Sequence, residues 1–344
     1  MTSPLLLLAA LALDPDSSTG EDTLAPTTEQ TEAPTLDPEA SDEDLVEDAA
    51  DTVDEPVLVE QVQAPKRLLP SELGSITPTL GSLVNVVLHL ENAGSQITAM
   101  QLATVRMDTP AVEQHLLAAG EPVYFTVLGD PERVTDFRVS VLDPAGKEIA
   151  VGEDFSGVDF GSTEEGEPLP VPVMRRVKVT PEVSGYHSLQ VDLEDGADDW
   201  GVGFYSSVLS YGSSKPVSIV NTVLTVMLSA VMIEVEGIQI QAAGWTTVSE
   251  SDRVEIAIPV DTTFSECVAI GTADTERTKK MDVDVLEPGG GIVGRGSMGK
   301  RDAMTDFVVF SPKLAGSWRF GLTATKMQRG AMDSHAAMLV GCIQ

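Results

Sequence analysis

Along most of the chain beyond residue 95, apolar positions alternate with polar ones over short runs. That alternation marks antiparallel strands with one face in a core. In the first half the runs are residues 97–107, 123–127, 137–141, 173–179 and 186–193. In the second half they are residues 238–241, 254–258, 267–270, 281–285, 307–310 and 318–322. The turns Asp143-Pro144-Ala145-Gly146 and Glu287-Pro288-Gly289-Gly290 carry Pro then Gly, as tight turns need. Many short strands with regular turns predict a mainly β fold of antiparallel, jelly-roll-like β-sandwiches.

One stretch has a different period. Val220, Val223, Leu224, Met227, Leu228, Val231 and Met232 recur at helical spacing, with Ser218, Asn221, Thr222, Thr225 and Ser229 on the other face. Ser218 is placed to cap such a helix. The β-branched content keeps a strand reading of residues 217–233 open. The stretch carries no charge, but it is short for a membrane span and its polar face would sit in lipid. No span is expected beyond the N-terminal segment.

The second half repeats the first. Residues 130–146, from Asp130-Pro131-Glu132-Arg133 to Pro144-Ala145-Gly146, match residues 274–290, from Asp274-Thr275-Glu276-Arg277 to Pro288-Gly289-Gly290. The match gives 8 identities in 17 positions at an offset of 144. Residues 180–189 match residues 311–320, and the apolar stretch from Ser82 aligns with that from Ser218. Two tandem sandwiches are therefore expected, each preceded by one apolar element. The fall in offset from 144 to 131 gives the first repeat about 13 extra residues after its Pro-Gly turn, including Asp159, Glu164, Glu165 and Glu167. Loops on a rigid sandwich often carry binding, so this one is a candidate for ligand contact.

Charge and composition add the organisation. The net charge is −33, and 17 acidic residues fall between Asp14 and Glu60, ahead of the first basic residue, Lys66. The expected domains are a signal peptide at 1–12, a disordered acidic linker at 13–65, a first sandwich at 66–212 and a second at 213–344. The leader reading rests on the apolar run at residues 5–8 and the small-x-small step Ala10-Leu11-Ala12. Outside the linker the chain stays acidic, so nucleic acid is excluded as a partner and anionic lipid disfavoured. The only cysteines, Cys267 and Cys342, are too few for a zinc site and form one candidate disulfide.

The segment Asp282-Val283-Asp284-Val285-Leu286-Glu287-Pro288-Gly289-Gly290, followed by Ser311-Pro312-Lys313-Leu314-Ala315-Gly316-Ser317-Trp318-Arg319-Phe320, resembles bacterial pre-peptidase C-terminal-type domains. It is similar also to GOLD domains, without their Cys after the Gly-x-aromatic strand. The resemblance implies a jelly-roll sandwich serving as a non-catalytic accessory or binding module of an exported protein. It brings no catalytic residues.

Other motifs carry less. Gly294-Arg295-Gly296-Ser297-Met298-Gly299-Lys300 imitates a phosphate loop, yet Arg301 replaces the required Ser or Thr and no helix follows. His89, His115, His187 and His335 have no metal-pair spacing, and His187 aligns with Trp318, which points to packing. No Gly-x-Ser-x-Gly elbow occurs. Asp192, Glu194, Asp195, Asp198 and Asp199 surround Gly196 and form a candidate calcium loop, though not at EF-hand spacing. The resulting expectation is a bacterial protein, secreted, periplasmic or at the cell surface. It would serve as a non-enzymatic binding or structural module with a protein or envelope partner and no required cofactor. The alternative is an accessory domain pair, calcium-stabilised, serving a secreted hydrolase system.

Overall fold

A computed structural model describes residues 74–162, 167–196, 201–213, 217–260, 262–296 and 303–343. The leader, the acidic linker, Glu164, Glu165, Asp198, Asp199 and most of the Gly-rich segment lie outside them.

The first repeat runs α1 (Thr77–Asn92), β1 (Ser95–Arg106), β2 (Ala111–Leu117), β3 (Val123–Gly129), β4 (Val134–Leu142), β5 (Glu148–Val151), β6 (Glu153–Asp154), β7 (Met174–Val179), β8 (Gly185–Gly196) and β9 (Val202–Gly212). The second runs α2 (Val220–Val235), β10 (Gln239–Ser249), β11 (Arg253–Val260), β12 (Glu266–Ala273), β13 (Thr278–Leu286), β14 (Ile292–Arg295), β15 (Thr305–Phe310), β16 (Gly316–Met327) and β17 (Asp333–Ile343). The protein is mainly β. In each repeat one sheet orders its strands 1-9-3-7 or 10-17-12-15, and the facing sheet 2-8-4-5 or 11-16-13-14. Apart from the hairpins β4–β5 and β13–β14 and the short β6 beside β7, successive strands alternate between sheets, the jelly-roll topology.

The two repeats share one sheet. β1 pairs antiparallel with β10, giving a nine-stranded order β15-β12-β17-β10-β1-β9-β3-β7-β6. Gln101 stands opposite Gly244, 143 residues further on. The bulges between Ile97 and Ala99 and between Ile240 and Ala242 repeat at that same offset. A residue paired with its own repeat equivalent places a pseudo-two-fold axis through the pair, as in an isologous dimer interface.

Both helices lie on one face of the shared sheet, and the two four-stranded sheets cover the other. Leu80, Leu83, Val87 and Leu90 of α1 and Val223, Val226, Ala230 and Ile233 of α2 pack with Met100, Phe204, Val208, Trp245 and Leu339. Residues 217–233 are therefore mostly helix. The helix starts shift the alignment read from sequence: α1 and α2 begin 143 residues apart, whereas the Ser82–Ser218 match implies 136. The difference is seven residues, two helical turns, over which an apolar stripe nearly superimposes on itself.

The repeated loop motifs are turns. Asp130 Oδ1 accepts the Glu132 N–H, and Asp274 Oδ1 that of Glu276, both at 2.9 Å. Gly146 and Gly290 take φ of 82° and 88°, a region that disfavours side chains. A Cβ on Gly185 would sit 3.1 Å from Pro144 Cγ, and one on Gly316 would sit 3.3 Å from Pro288 Cγ. The Pro-Gly turn and the Gly-x-aromatic strand therefore meet in both repeats, which explains why both carry these residues.

Candidate binding face

The two helices hold each other's ends. Near the end of α2, Glu234 accepts the Ile76 N–H at 3.0 Å, the Ser75 hydroxyl at 2.8 Å and the Thr77 hydroxyl at 3.0 Å. Near the end of α1, Glu91 accepts the Ile219 N–H at 2.7 Å and the Ser218 hydroxyl at 2.8 Å. The N-cap positions, Ile76 and Ile219, supply no side-chain cap of their own. Ser218, read from sequence as the N-cap of α2, lies one residue earlier and accepts the Val220 N–H at 3.3 Å while donating to Glu91. A carboxylate at each N-terminus complements the helix dipole, and the reciprocity makes α1 and α2 antiparallel.

The outer surfaces of the helices differ. In the first repeat, the connection from β6 to β7 brings Phe155, Val158 and Phe160 into the helix-side core, and Phe155 meets His89 edge-on at 6.0 Å. These are the extra residues inferred from sequence. In the second repeat, residues 296–304 connect β14 to β15, against residues 152–173 in the first. On α2, Leu224, Leu228, Val231, Met232 and Val235 stay exposed, Leu228 at 63% and Val235 at 81%. The α1 equivalents of Leu228, Met232 and Val235 are Asn85, His89 and Asn92. A contiguous apolar stripe on an acidic protein is the surface property that most often marks a partner site.

A second feature belongs to the first repeat alone. Within its sandwich, Glu113 on β2 accepts the Ser207 hydroxyl, whose Oγ lies 2.8 and 2.6 Å from its two oxygens. It also accepts His115 Nε2–H at 3.1 Å and the Tyr205 hydroxyl. Burial, and then the Glu113 charge, push the Tyr205 phenol well above its ordinary pKa. The second repeat puts Ile256, Ile258, Ala336 and Met338 at the equivalent register positions. The fold needs no charge there. Three donors satisfy the carboxylate, so the cluster reads as a closed buried network. His187 sits opposite His115, donates Nδ1–H to the Gly185 carbonyl at 3.0 Å and is buried, as is its equivalent Trp318.

At the N-terminus of α2 lies an open polar pocket of about 480 Å³, lined in part by Asn221, Asp274, Glu276, Arg277 and Arg329. Arg277 is held by Asp333. Beneath it, His335 Nε2–H donates to the Val217 carbonyl at 3.2 Å. Burial lowers the His335 pKa against the opposing pull of that carbonyl and of Asp274, Glu91 and Asp333.

Of the residues singled out by sequence, Asp192, Glu194 and Asp195 stand on β8, with Asp192 accepting the Gln190 amide at 2.9 Å. Among the described residues no three His, Cys, Asp or Glu side chains gather as metal ligands. Cys267 on β12 and Cys342 on β17 occupy directly opposed register positions and form a disulfide. Asp159 of the acidic loop accepts the Gly161 N–H at 2.8 Å. Glu91 and Glu234 were not singled out, although their common offset of 143 with Ser75 and Ser218 is present in the sequence.

No family model matches the chain, and no curated protein sequence matches it. Among solved structures it is similar to the M60 catalytic domain with the CBM51-1 and CBM51-2 domains from Clostridium perfringens ZmpB. Identity there is 11%, coverage is 70% of this chain and 34% of that one, and the TM-score is 0.21. PBSX exported protein XepA gives 12% identity, 72% and 86% coverage and a TM-score of 0.21. The STIV MCP gives 8%, 70% and 96%, and 0.20. The chain spans about a third of the length of the first of these. TM-scores near 0.2 carry no argument about fold or function. Among the described residues no helix is long and apolar enough to cross a membrane.

Proposed function

We propose that the protein is an exported, non-enzymatic binding or structural module of the cell envelope or extracellular space, and that it works by docking through the outer face of α2. The observation that carries this reading is the exposed apolar stripe Leu224, Leu228, Val231, Met232 and Val235, set beside an α1 that exposes Leu88 but has Asn85, His89 and Asn92 at the other equivalent positions and is met by its own loop. The Cys267–Cys342 disulfide supports an oxidising compartment. The complete hydrogen bonding of Glu113 supports a structural role for the buried Glu113–His115 cluster. Cell fractionation of the full chain tests the export half. The expected result is recovery outside the cytoplasm with both cysteines oxidised; recovery in the cytosol with both thiols open to alkylation overturns it. The docking half predicts that Leu228→Glu keeps the circular dichroism of the wild type but loses the complex formed through that face, read by native gel mobility of the protein extracted from cells. A mobility the same as that of the wild type contradicts it.

A further inference from the structure

We infer that the occupant of the α2 face is a second copy of this chain, seated about a true two-fold axis with the two α2 helices antiparallel. The inference rests on reading that face as a docking surface. Charge selects the partner first. Each chain carries −33, so two copies repel over most of their surface. Residues 217–233 contain no charged side chain, and Glu234 just beyond them is turned into the N-terminus of α1; exposed Glu236, next to Val235, falls opposite Val220 in an antiparallel crossing centred on Leu228, so the two copies' Glu236 side chains lie at opposite ends of the pair. Two copies can therefore meet here without setting carboxylate against carboxylate. A basic partner would find a single counter-charge, Glu236, at the end of the stripe and none along it.

Shape and area agree. An antiparallel crossing centred on Leu228 sets that residue against its counterpart and Leu224 against Met232, all apolar and of similar volume. The exposed fractions amount to about 500 Å² per copy, or about 1,000 Å² in all, at the lower bound of specific interfaces. A reversible, concentration-dependent dimer is the result. Each copy already pairs α2 with α1 on its sheet, so the dimer stacks one helix pair against the other.

The asymmetry between the repeats then has a physical role. Two open apolar faces per molecule would allow head-to-tail growth without closure. Asn85, His89 and Asn92 on α1, with Phe155 against His89, break up the matching face and leave Leu88 as its exposed apolar residue, so the helix layer offers one continuous stripe per chain. Association therefore stops at two.

Sedimentation velocity of the full chain over two decades of concentration tests this. The wild type is expected to shift from monomer toward dimer. Leu228→Glu should weaken that association about tenfold or more, because it buries an unpaired carboxylate, and Leu116→Glu on the exposed side of β2 should leave it unchanged. Val235→Glu decides the matter if Leu228→Glu loses its helical circular dichroism. A wild type that stays monomeric throughout, or a dimer indifferent to both α2 variants, overturns the proposal. A monomer whose α2 variants still lose the complex extracted from cells rejects the second copy while leaving the docking face standing. Wild-type monomer that binds phosphatidylcholine vesicles through α2 would replace the second copy with a lipid surface.

Discussion

Replacing Cys267 and Cys342 by alanine opens a closed loop of 75 residues in the unfolded chain. The chain-entropy relation assigns that loop about 4.5 kcal/mol of stability at 25 °C. The change in melting temperature depends on what melts together. Arg67–Gln344 fall in one compact unit, and the shared sheet runs through both repeats. A unit of that length unfolds with an entropy of about 0.6 kcal/mol/K, so the midpoint falls by about 8 °C. If the second repeat melted alone, its roughly 130 residues would carry less than half that entropy and the midpoint would fall by about 16 °C. Differential scanning calorimetry of the oxidised wild type and the double variant reads both quantities. One transition shifted by about 8 °C supports a single cooperative body stapled near its C-terminus. A shift below about 2 °C would refute the loop-entropy reasoning. Two separated transitions would refute the cooperative sheet.

Four further outcomes are expected. Burial holds the His335 pKa below its ordinary value of 6.5, so the unfolded chain takes the proton first as pH falls. The stability His335 contributes is present above 6.5 and lost as pH drops through the lowered folded value; urea midpoints at neutral and mildly acidic pH should diverge less in His335→Gln than in the wild type. Removing either reciprocal cap, by Glu91→Ala or Glu234→Ala, should cost about 1–2 kcal/mol in denaturant titrations, with similar values in the two repeats. Within the first sandwich, Ser207→Ala should cost about 1–3 kcal/mol by leaving Glu113 short of a donor. Replacing the network as a whole, by Glu113→Ile, His115→Ile, Tyr205→Phe and Ser207→Met, should be neutral or stabilising, because the second repeat already uses apolar groups there.

Much of the fold was legible because most strands keep one face toward solvent, or nearly so. Residues 254–258 lie within β11, where alternation is clear in the burial pattern. Six strands escaped notice: β5, β6 and β14 are short, β2 turns Glu113 and His115 inward and Val112 and Leu116 outward, and β9 and β17 have no alternation at all. The sequences of β9 and β17, VGFYSSVLSYG and DSHAAMLVGCI, are buried on both sides over nine consecutive residues, with helices above and the second sheet below. Period-two reasoning has nothing to detect there. The helices were ambiguous for a related cause. The pattern of α2 spreads apolar residues around much of its circumference, some toward the sheet and some toward solvent, and this excess over what the core needs is the face proposed for docking. Sequence showed that Leu228 and Met232 are apolar. Only the packing shows that nothing among the described residues covers them. The Glu91 and Glu234 caps were invisible for a different reason, since each acts across about 127 and 158 residues of chain.

The most direct test of the docking account is photocrosslinking in living cells, with a photoreactive phenylalanine analogue at position 228 and, as control, at exposed Ile149 on β5. The account predicts a discrete adduct from position 228, at twice the mass of the chain if the partner is a second copy, and none from position 149. No adduct from 228, or the same diffuse products from both positions, would contradict the claim that α2 presents the working surface of this protein.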